Sequence, residues 1–534
     1  MLIRNTLRTR RPASVAAFLL VLLTLGLAPI GCRRHTKQMR FAKPLVFRIS
    51  GSSSSARQYA GVIQNYLQDV GVPVDIQPSE LTTMLDQLRY GQFQMAYGQW
   101  VGGNQDPIFY RDLFASSEIP TQTRAARNRS RYENKELDAI LEEAANTYDH
   151  EKTTPLYARA QEIISRDVPV FPLWYQANMV IAKKSVGNIH VDASGDWGFV
   201  KNLTSSNPNM VIALSDNLKT IDPIGSPSVD AASERVRALM FNSLVKKNER
   251  FDYVGDLASN IQRSDDDLTF TFTLRDGVTF HDGRSFTSAD AKYTIDTVLA
   301  NSFAKSASFF EGTGAERKGY VKSVEAPDPH TLVIRLSKPW TGLLSNLVAI
   351  PMIAKDSYAS QKTQPLGTGP FKFVKYDSTQ QVVDLQGYPN YWDGPTKISS
   401  LRVRVISDAN AMQAELQSGR VDIAPLPTSL SPDSIKALGS DPNLSVQQFE
   451  GSNLNLLTFN TKEPPLDNVK VRQAIAYAID REAMIKGLLQ GQGKIAHSIL
   501  PETSWAYTSG QTYRYDPAMA NKLLDEAGLK VGGQ

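Results

Sequence analysis

Leu268, Phe270, Phe272 and Leu274 alternate with Thr269, Thr271 and Thr273, the two-residue period of a half-buried strand. Leu332, Ile334 and Leu336 repeat the pattern, as do Leu401, Val403 and Val405. Residues 45–49 read as a further strand, followed by a Ser-rich loop over 51–55. Asp276-Gly277 and Asp282-Gly283 supply turns on either side of Val278 and Phe280, as in successive hairpins. Helical spacing is equally plain. Leu137, Ile140, Leu141 and Ala144 fall at i, i+3, i+4 and i+7 behind Asn134, a suitable N-cap. Residues 469–489 predict one helix with Asp467 or Asn468 at its start. Asp516-Pro517 opens another over 518–527, closed by Gly528. Pro/Ser/Asn-rich stretches at 202–209 and 425–432 predict linkers or loops. The chain is therefore mixed α/β, with no internal repeat.

The first 31 residues follow a different logic. Arg4, Arg8, Arg10 and Arg11 precede an apolar run over 15–28 that only Thr24 and Gly26 interrupt. A charged start with so short a run predicts an export signal, since a spanning helix needs about 20 apolar residues. Arg10-Arg11 raises a twin-arginine reading, which Pro12-Ala13 opposes. The run ends in LAPIGC (27–32), similar to a bacterial lipoprotein box except for Pro29. Lipidation of Cys32 gives the chain's one cysteine a use, and a lone cysteine excludes an internal disulfide framework. An ordinary signal with an incidental cysteine is the alternative.

Charge then sharpens the picture. The 58 Lys+Arg and 54 Asp+Glu give +4, and the four signal arginines account for all of it. A neutral body offers no sequence-wide attraction to nucleic acid or an anionic membrane. The 534 residues suggest about three domains at ~100–200 residues each. No segment after the signal is long and apolar enough to span a bilayer.

A search for reaction chemistry returns little. The six histidines, His35, His150, His190, His281, His330 and His497, form no HExxH or Cys/His cluster, so no metal site is expected. Gly491-Gln492-Gly493-Lys494 lacks the first glycine of a phosphate loop, and Ile495 stands where Ser/Thr is required. Pro370 after Gly367-Thr368-Gly369 removes an N–H that a dinucleotide loop needs. No GxSxG elbow occurs. His281-Asp282 sits in a hairpin turn, where a structural role is expected. The chain does not read as an enzyme, and no cofactor is called for.

Several segments together resemble the large extracytoplasmic solute-binding proteins of ABC importers, the dipeptide/oligopeptide/nickel class, family 5. FTLRDGVTFHDGRSFTSADAKYTID (272–296) is the most specific. TIDPIG (220–225), GTGPFKFVKYD (367–377), SGRVDIAP (418–425), LDNVKVRQAIAYAIDREAMI (466–485) and YDPAMANKLLDEAG (515–528) follow in family order. The family's next portion stands first here. PLVFRISGSSSSARQYAGVIQNYLQDVGVPVDIQ (44–77), GQFQMAYGQWVGGNQDP (91–107), ELDAILEEA (136–144) and LYARAQEIISRDVPVFPLWYQ (156–176) resemble its C-terminal third. The chain resembles a circularly permuted member, its usual order restored by joining Gln534 to Lys37. A shuffled gene, or a segment 37–204 swapped into a neighbouring protomer, would give the same order.

The resemblance implies a two-lobed α/β periplasmic-binding-protein-like fold, type II, of the large class with an extra subdomain. Residues 1–31 are then a signal peptide and 32–39 a lipid-attachment linker. One lobe spans 183–446, with a subdomain at about 239–363, and the second combines 40–182 with 447–534. The implied function is capture of a peptide or similar small organic solute and its delivery to an ABC permease, by a monomer held at the outer membrane face through Cys32. The alternatives are an exported hydrolase or other enzyme on an unrelated fold, and a folded but transport-incompetent rearrangement. The resemblance also implies ligand contacts: Trp100, Asn104 and Asp106 after the GW-like element, Trp505 before YDP, and Val229, Asp230, Ala231, Ala232 and Ser233. The last five resemble an edge that pairs with extended ligand backbone. Gly103 takes the place of the family's ammonium-binding aspartate, which argues against free-amine peptides.

Overall fold

The computed structural model describes residues 39–102, 105–122, 126–226, 230–311 and 317–531. The expected signal, Cys32, Gly103, Asn104 and Val229 lie outside them. Among the described residues no helix is long and apolar enough to cross a membrane.

Alternation produces the strands. Leu45–Ser50 buries every second residue, Leu45, Phe47 and Ile49, and the same rule sets Thr269–Leu274, Thr331–Leu336 and Ser400–Val405. Helix Lys135–Ala145 begins where expected, with Asn134 Oδ1 accepting from Leu137 N at 3.1 Å. Helix Pro517–Glu526 is capped by Asp516, and Gly528 ends it at φ +83°, a conformation that costs glycine nothing.

Three expectations change. The helix over 469–489 is two, Val469–Ala478 and Arg481–Leu488. Ile479 is extended between them, and Asp480 caps the second through Ala483 N at 2.9 Å. The break lets buried Arg481 donate to the carbonyls of Pro172, Ala496 and Tyr513 at 2.5–2.8 Å. Helix Ser54–Asp69 starts inside the Ser-rich loop, with Ser53 as its cap. Within the expected linker 202–209, Thr204–Ser205 pairs with Val186–Gly187.

Two large sheets organise the molecule. The first has six strands in the order Val74–Ser79, Leu45–Ser50, Met95–Trp100, Leu454–Phe459, Val170–Gln176 and Gly493–Ile495. Its fourth strand comes from the far end of the chain and runs antiparallel to both neighbours. The second has seven: Phe371–Asp377, Val382–Gly387, Ser400–Val405, Asn209–Leu214, Ile423–Pro425, Asn178–Lys183 and Leu444–Phe449. A separate four-stranded antiparallel sheet orders Ala258–Arg263, Thr269–Leu274, Thr331–Leu336 and Val321–Asp328.

The chain passes between the two large sheets at Ala177 and at residues 450–453. These crossings lie a few residues from the expected boundaries 182/183 and 446/447, because Asn178–Lys183 and Leu444–Phe449 pair with each other along their whole length. The crossings touch. Gln176 N donates to Asn453 O at 2.8 Å, and Asn178 Nδ2 to Glu450 O at 3.0 Å. A Cβ on Gly451 would stand 1.9 Å from Gln176 O, so only glycine allows this approach.

Opposite ends of the described chain share one core. Leu45, Phe47, Ile63 and Leu67 bury with Val471, Ile475, Ala520 and Leu524. Arg40 closes the seam with its side chain almost wholly buried. Its guanidinium donates to Val70 O at 3.0 Å, Asp525 Oδ1 at 2.6 Å, Leu529 O at 2.5 Å and Asn521 Oδ1 at 2.8 Å. Hydrogen bonds from a buried charge are worth about 1.5–3 kcal/mol. Arg40→Ala is expected to lower unfolding free energy by about 2–3 kcal/mol. Urea titration measures the loss, and hydrogen exchange should quicken first in helix Pro517–Glu526.

Candidate functional site

A cavity of about 520 Å³ lies along the central strands of the six-stranded sheet, a size suited to small organic ligands. Its floor is the antiparallel pair Met95–Trp100 and Leu454–Phe459, with Trp100 opposite Leu454 and Gln99 opposite Asn455. One wall is helix Leu81–Arg89, whose Met84 and Leu88 are buried. Another is the start of helix Ser54–Asp69, through Ser53, Ser55, Ala56 and Tyr59. Arg127, Arg129 and Ser130 complete the rim.

Trp100 lines the cavity. Phe109 meets it edge-on at 4.9 Å, and the Arg129 guanidinium lies 5.8 Å from its ring. Arg127 donates to Asp112 Oδ2 at 2.8 Å. Arg129 has no ion-pair partner among the described residues. Burial lowers its pKa, and the charge of Arg127 lowers it further. On the floor, Tyr97 Oη donates to Asn455 Oδ1 at 2.5 Å. Burial raises the Tyr97 pKa well above its ordinary value, so the phenol stays a donor. Asn455 Nδ2 is buried with no partner.

The other expected site residues lie elsewhere. Asp106 and Trp505 line a second cavity of about 330 Å³, with His150, Tyr157 and Tyr253. Tyr253 Oη donates to Asp106 Oδ2, and Trp505 stacks on His150 at 3.7 Å. Gln105 donates to Ser452 Oγ at 3.0 Å and accepts from Lys247 Nζ at 3.2 Å, tying one crossing to strand Val245–Lys247. Asp106, through Tyr253, and Trp505, whose backbone N–H donates to Arg250 O at 3.1 Å, therefore tie this part of the chain to residues 250–253.

Residues 230–233 correct the expectation of an extended edge. Asp230 is the N-cap of helix Ala231–Met240, accepting from Ser233 N at 2.8 Å. Ala232 and Ser233 are buried, Ala231 is exposed, and none lines the 520 Å³ cavity. Val236, Leu239 and Met240 enter the core, which forces a helix over 231–240.

Arg127, Arg129, Tyr59, Tyr97 and Asn455 escaped the sequence reading. Signals existed: 119–131 holds four arginines and no acid, and Asn455 interrupts the apolar run LNLLTF. Nothing local says that these segments meet. His281 is structural, as expected: its buried Nε2 donates to Gly369 O at 2.9 Å. Among the described residues no group of three His, Cys, Asp or Glu is placed to hold a metal ion.

The profile of bacterial extracellular solute-binding proteins, family 5 middle, matches residues 252–534, and the chain belongs to this family. Heme-binding protein A of Haemophilus influenzae is 34% identical over 334 residues, 58% of this chain and 59% of that protein. The dipeptide-binding protein of Escherichia coli is 30% identical over 318 residues, 55% of this chain and 58% of its own. The chain thus spans just under three fifths of these relatives in alignment. An ABC transporter substrate-binding protein of Listeria monocytogenes, CtaP, shares the fold at TM-score 0.50 and 24% identity, over 60% of this chain and 65% of its own.

Burial lowers the His281 pKa from 6.5 to about 4. Its contribution to stability is complete above pH 6.5 and is lost as pH falls toward 4, because the unfolded chain takes up the proton first. Stability should fall by about 3 kcal/mol across that window from this group. His281→Gln should flatten that part of the profile, as followed by denaturant titration at each pH.

Proposed function

We propose that this protein captures a small organic solute or peptide between two lobes and delivers it to an ABC importer. The lobes are 183–446, with the subdomain at about 239–363, and 40–182 with 447–534, joined at the crossings near 177 and 450–453. The carrying observation is this pair of adjoining crossings between two separate sheets, with a cavity of about 330 Å³ lined by Asp106 and Trp505 from one lobe and Tyr253 and Phe270 from the other. Two connections that touch restrict relative movement to a bend, so binding energy goes into closure. Trp100 forms a wall for the solute. Asp106 and Trp505 act at the seam, where the Tyr253–Asp106 bond and the Trp505 N–H to Arg250 O bond of 3.1 Å stabilise the closed form. Asn104 and Val229 complete the contacts in this reading.

The same reading includes circular permutation. The Arg40 clasp and the shared core bring 40–67 and 471–529 together, as adjacency in the family order requires. The family profile matches residues 252–534, inside the block from 205 to 534. A lipid on Cys32 would tether the monomer outside the cytoplasmic membrane. Cys32→Ser should release it into the soluble fraction.

Solute capture predicts saturable thermal stabilisation without turnover, and stimulation of ATP hydrolysis by the reconstituted permease. Product formation from the same solute would overturn it. Tyr253→Phe should weaken solute binding about tenfold, the equivalent of about 1.4 kcal/mol, by removing a bond that closure makes. A relinked chain, starting at Ser205 and joining Gln534 to Lys37, should fold and bind as the parent does. Failure to fold would count against permutation.

A further inference from the structure

The cavity of about 330 Å³ at the seam is lined by both lobes. Tyr148, Tyr157 and Trp505 come from one, Tyr253 and Phe270 from the other. Bonds across the seam close its side: Tyr148 Oη donates to Trp340 O, and Thr341 Oγ1 to Ala145 O at 2.8 Å. Its charge balance is negative. Asp106 and Asp252 line it against one cation, Arg263, with His150 counted as neutral. His150 Nε2 stands 3.8 Å from Asp252 Oδ1, beyond hydrogen-bond reach. Arg263 already donates to Asp267, which lies outside the lining, and Lys247 acts on Asp106 from outside as well. Those two neighbours cancel, so one net negative charge remains.

Asp106 keeps capacity for a ligand. Ile108 N donates to its Oδ1 at 3.0 Å and Tyr253 Oη to its Oδ2, which leaves a lone-pair site on each oxygen. Independently, Tyr157 lines the cavity at 5% exposure, and its hydroxyl has no hydrogen-bond partner among the described residues. Burial raises its pKa, and the charge of Asp106 raises it further, so the phenol stays protonated. A buried polar group left unmatched is costly until a ligand supplies the partner, and the phenol oxygen accepts from an ammonium N–H. The rings add to this. Arg263 lies 5.0 Å from the Tyr148 ring centre, so the cavity already holds one cation against an aromatic face. Tyr157 meets Trp505 edge-on at 5.9 Å, which completes an apolar wall on the same side. An anion here would meet two carboxylates and the negative faces of the rings.

We propose that the solute is a small organic cation, a protonated amine whose ammonium is held by Asp106 and the Tyr157 hydroxyl, with its apolar body among Trp505, Tyr253 and Phe270. This rests on the solute-capture reading and narrows it. The ammonium supplies donors to two acceptors at once, and the apolar body displaces water from the rings. Asp106 also carries the Tyr253 bond between the lobes, so a cation seated on it sits where the lobes meet.

The test uses the whole chain and three probes that share a phenyl ring: phenethylamine, phenethyl alcohol and 3-phenylpropionate. Calorimetry and thermal melting at neutral pH should show the amine binding about tenfold tighter than the alcohol or the acid. Asp106→Asn should remove about tenfold of that affinity and with it the preference. Tyr157→Phe deletes only an unpartnered hydroxyl, so the variant should melt as the parent does while binding the amine about threefold more weakly. Arg159→Gln, on an exposed helix face, should change neither. Equal binding of the alcohol or the acid, or a preference that survives Asp106→Asn, would overturn the proposal. So would parental affinity in Tyr157→Phe, which holds even where Asp106→Asn fails to fold, or the absence of binding by all three probes. In each case, saturable stabilisation by some other solute from a growth-medium extract would leave solute capture standing, and its absence would remove that reading as well.

Discussion

The structure depends on one strand. Leu454–Phe459 lies at the middle of the six-stranded sheet, antiparallel to Met95–Trp100 on one side and Val170–Gln176 on the other. Without it, strands from residues 45–100 would have no backbone connection to the strand that leads into the second sheet. It also provides half of the cavity floor and continues directly from one crossing. Cavity and hinge are therefore mechanically continuous.

The buried cations show how the site differs from the scaffold. Arg472 donates to the carbonyls of Asp167, Val168 and Leu466, and Arg481 to those of Pro172, Ala496 and Tyr513. Arg40 combines carbonyls with Asn521 and Asp525. Each guanidinium satisfies several donors with fixed backbone dipoles, and each joins segments distant in sequence. These contacts explain how a core assembled from both ends of a chain remains in register. Arg129 has no such set among the described residues. That contrast separates a group held by the fold from one available to a ligand.

Much of the architecture was legible. Alternation located Thr269–Leu274 and Ser400–Val405, and the caps at Asn134 and Asp516 located their helices. These signals are local, because a strand or cap needs neighbours only a few residues away. The failures share one cause. Ile479 and Asp480 break an otherwise helical pattern so that Arg481 can reach carbonyls on three other segments. Residues 231–240 become a helix because the core accepts Val236, Leu239 and Met240. In both, long-range packing outweighed local propensity.

By itself the sequence determined the family, the mixed α/β class and the neutral body, because each rests on residue order or on spacing within a short window. Only the tertiary structure decided that Asp106 and Trp505 meet Tyr253 and His150, that Asn455 faces Tyr97, and that Arg129 stands near Trp100 without a partner. Those facts depend on which distant strands pair. Pairing is chosen by burial and hydrogen-bond satisfaction over the whole chain, a global condition that no local pattern contains.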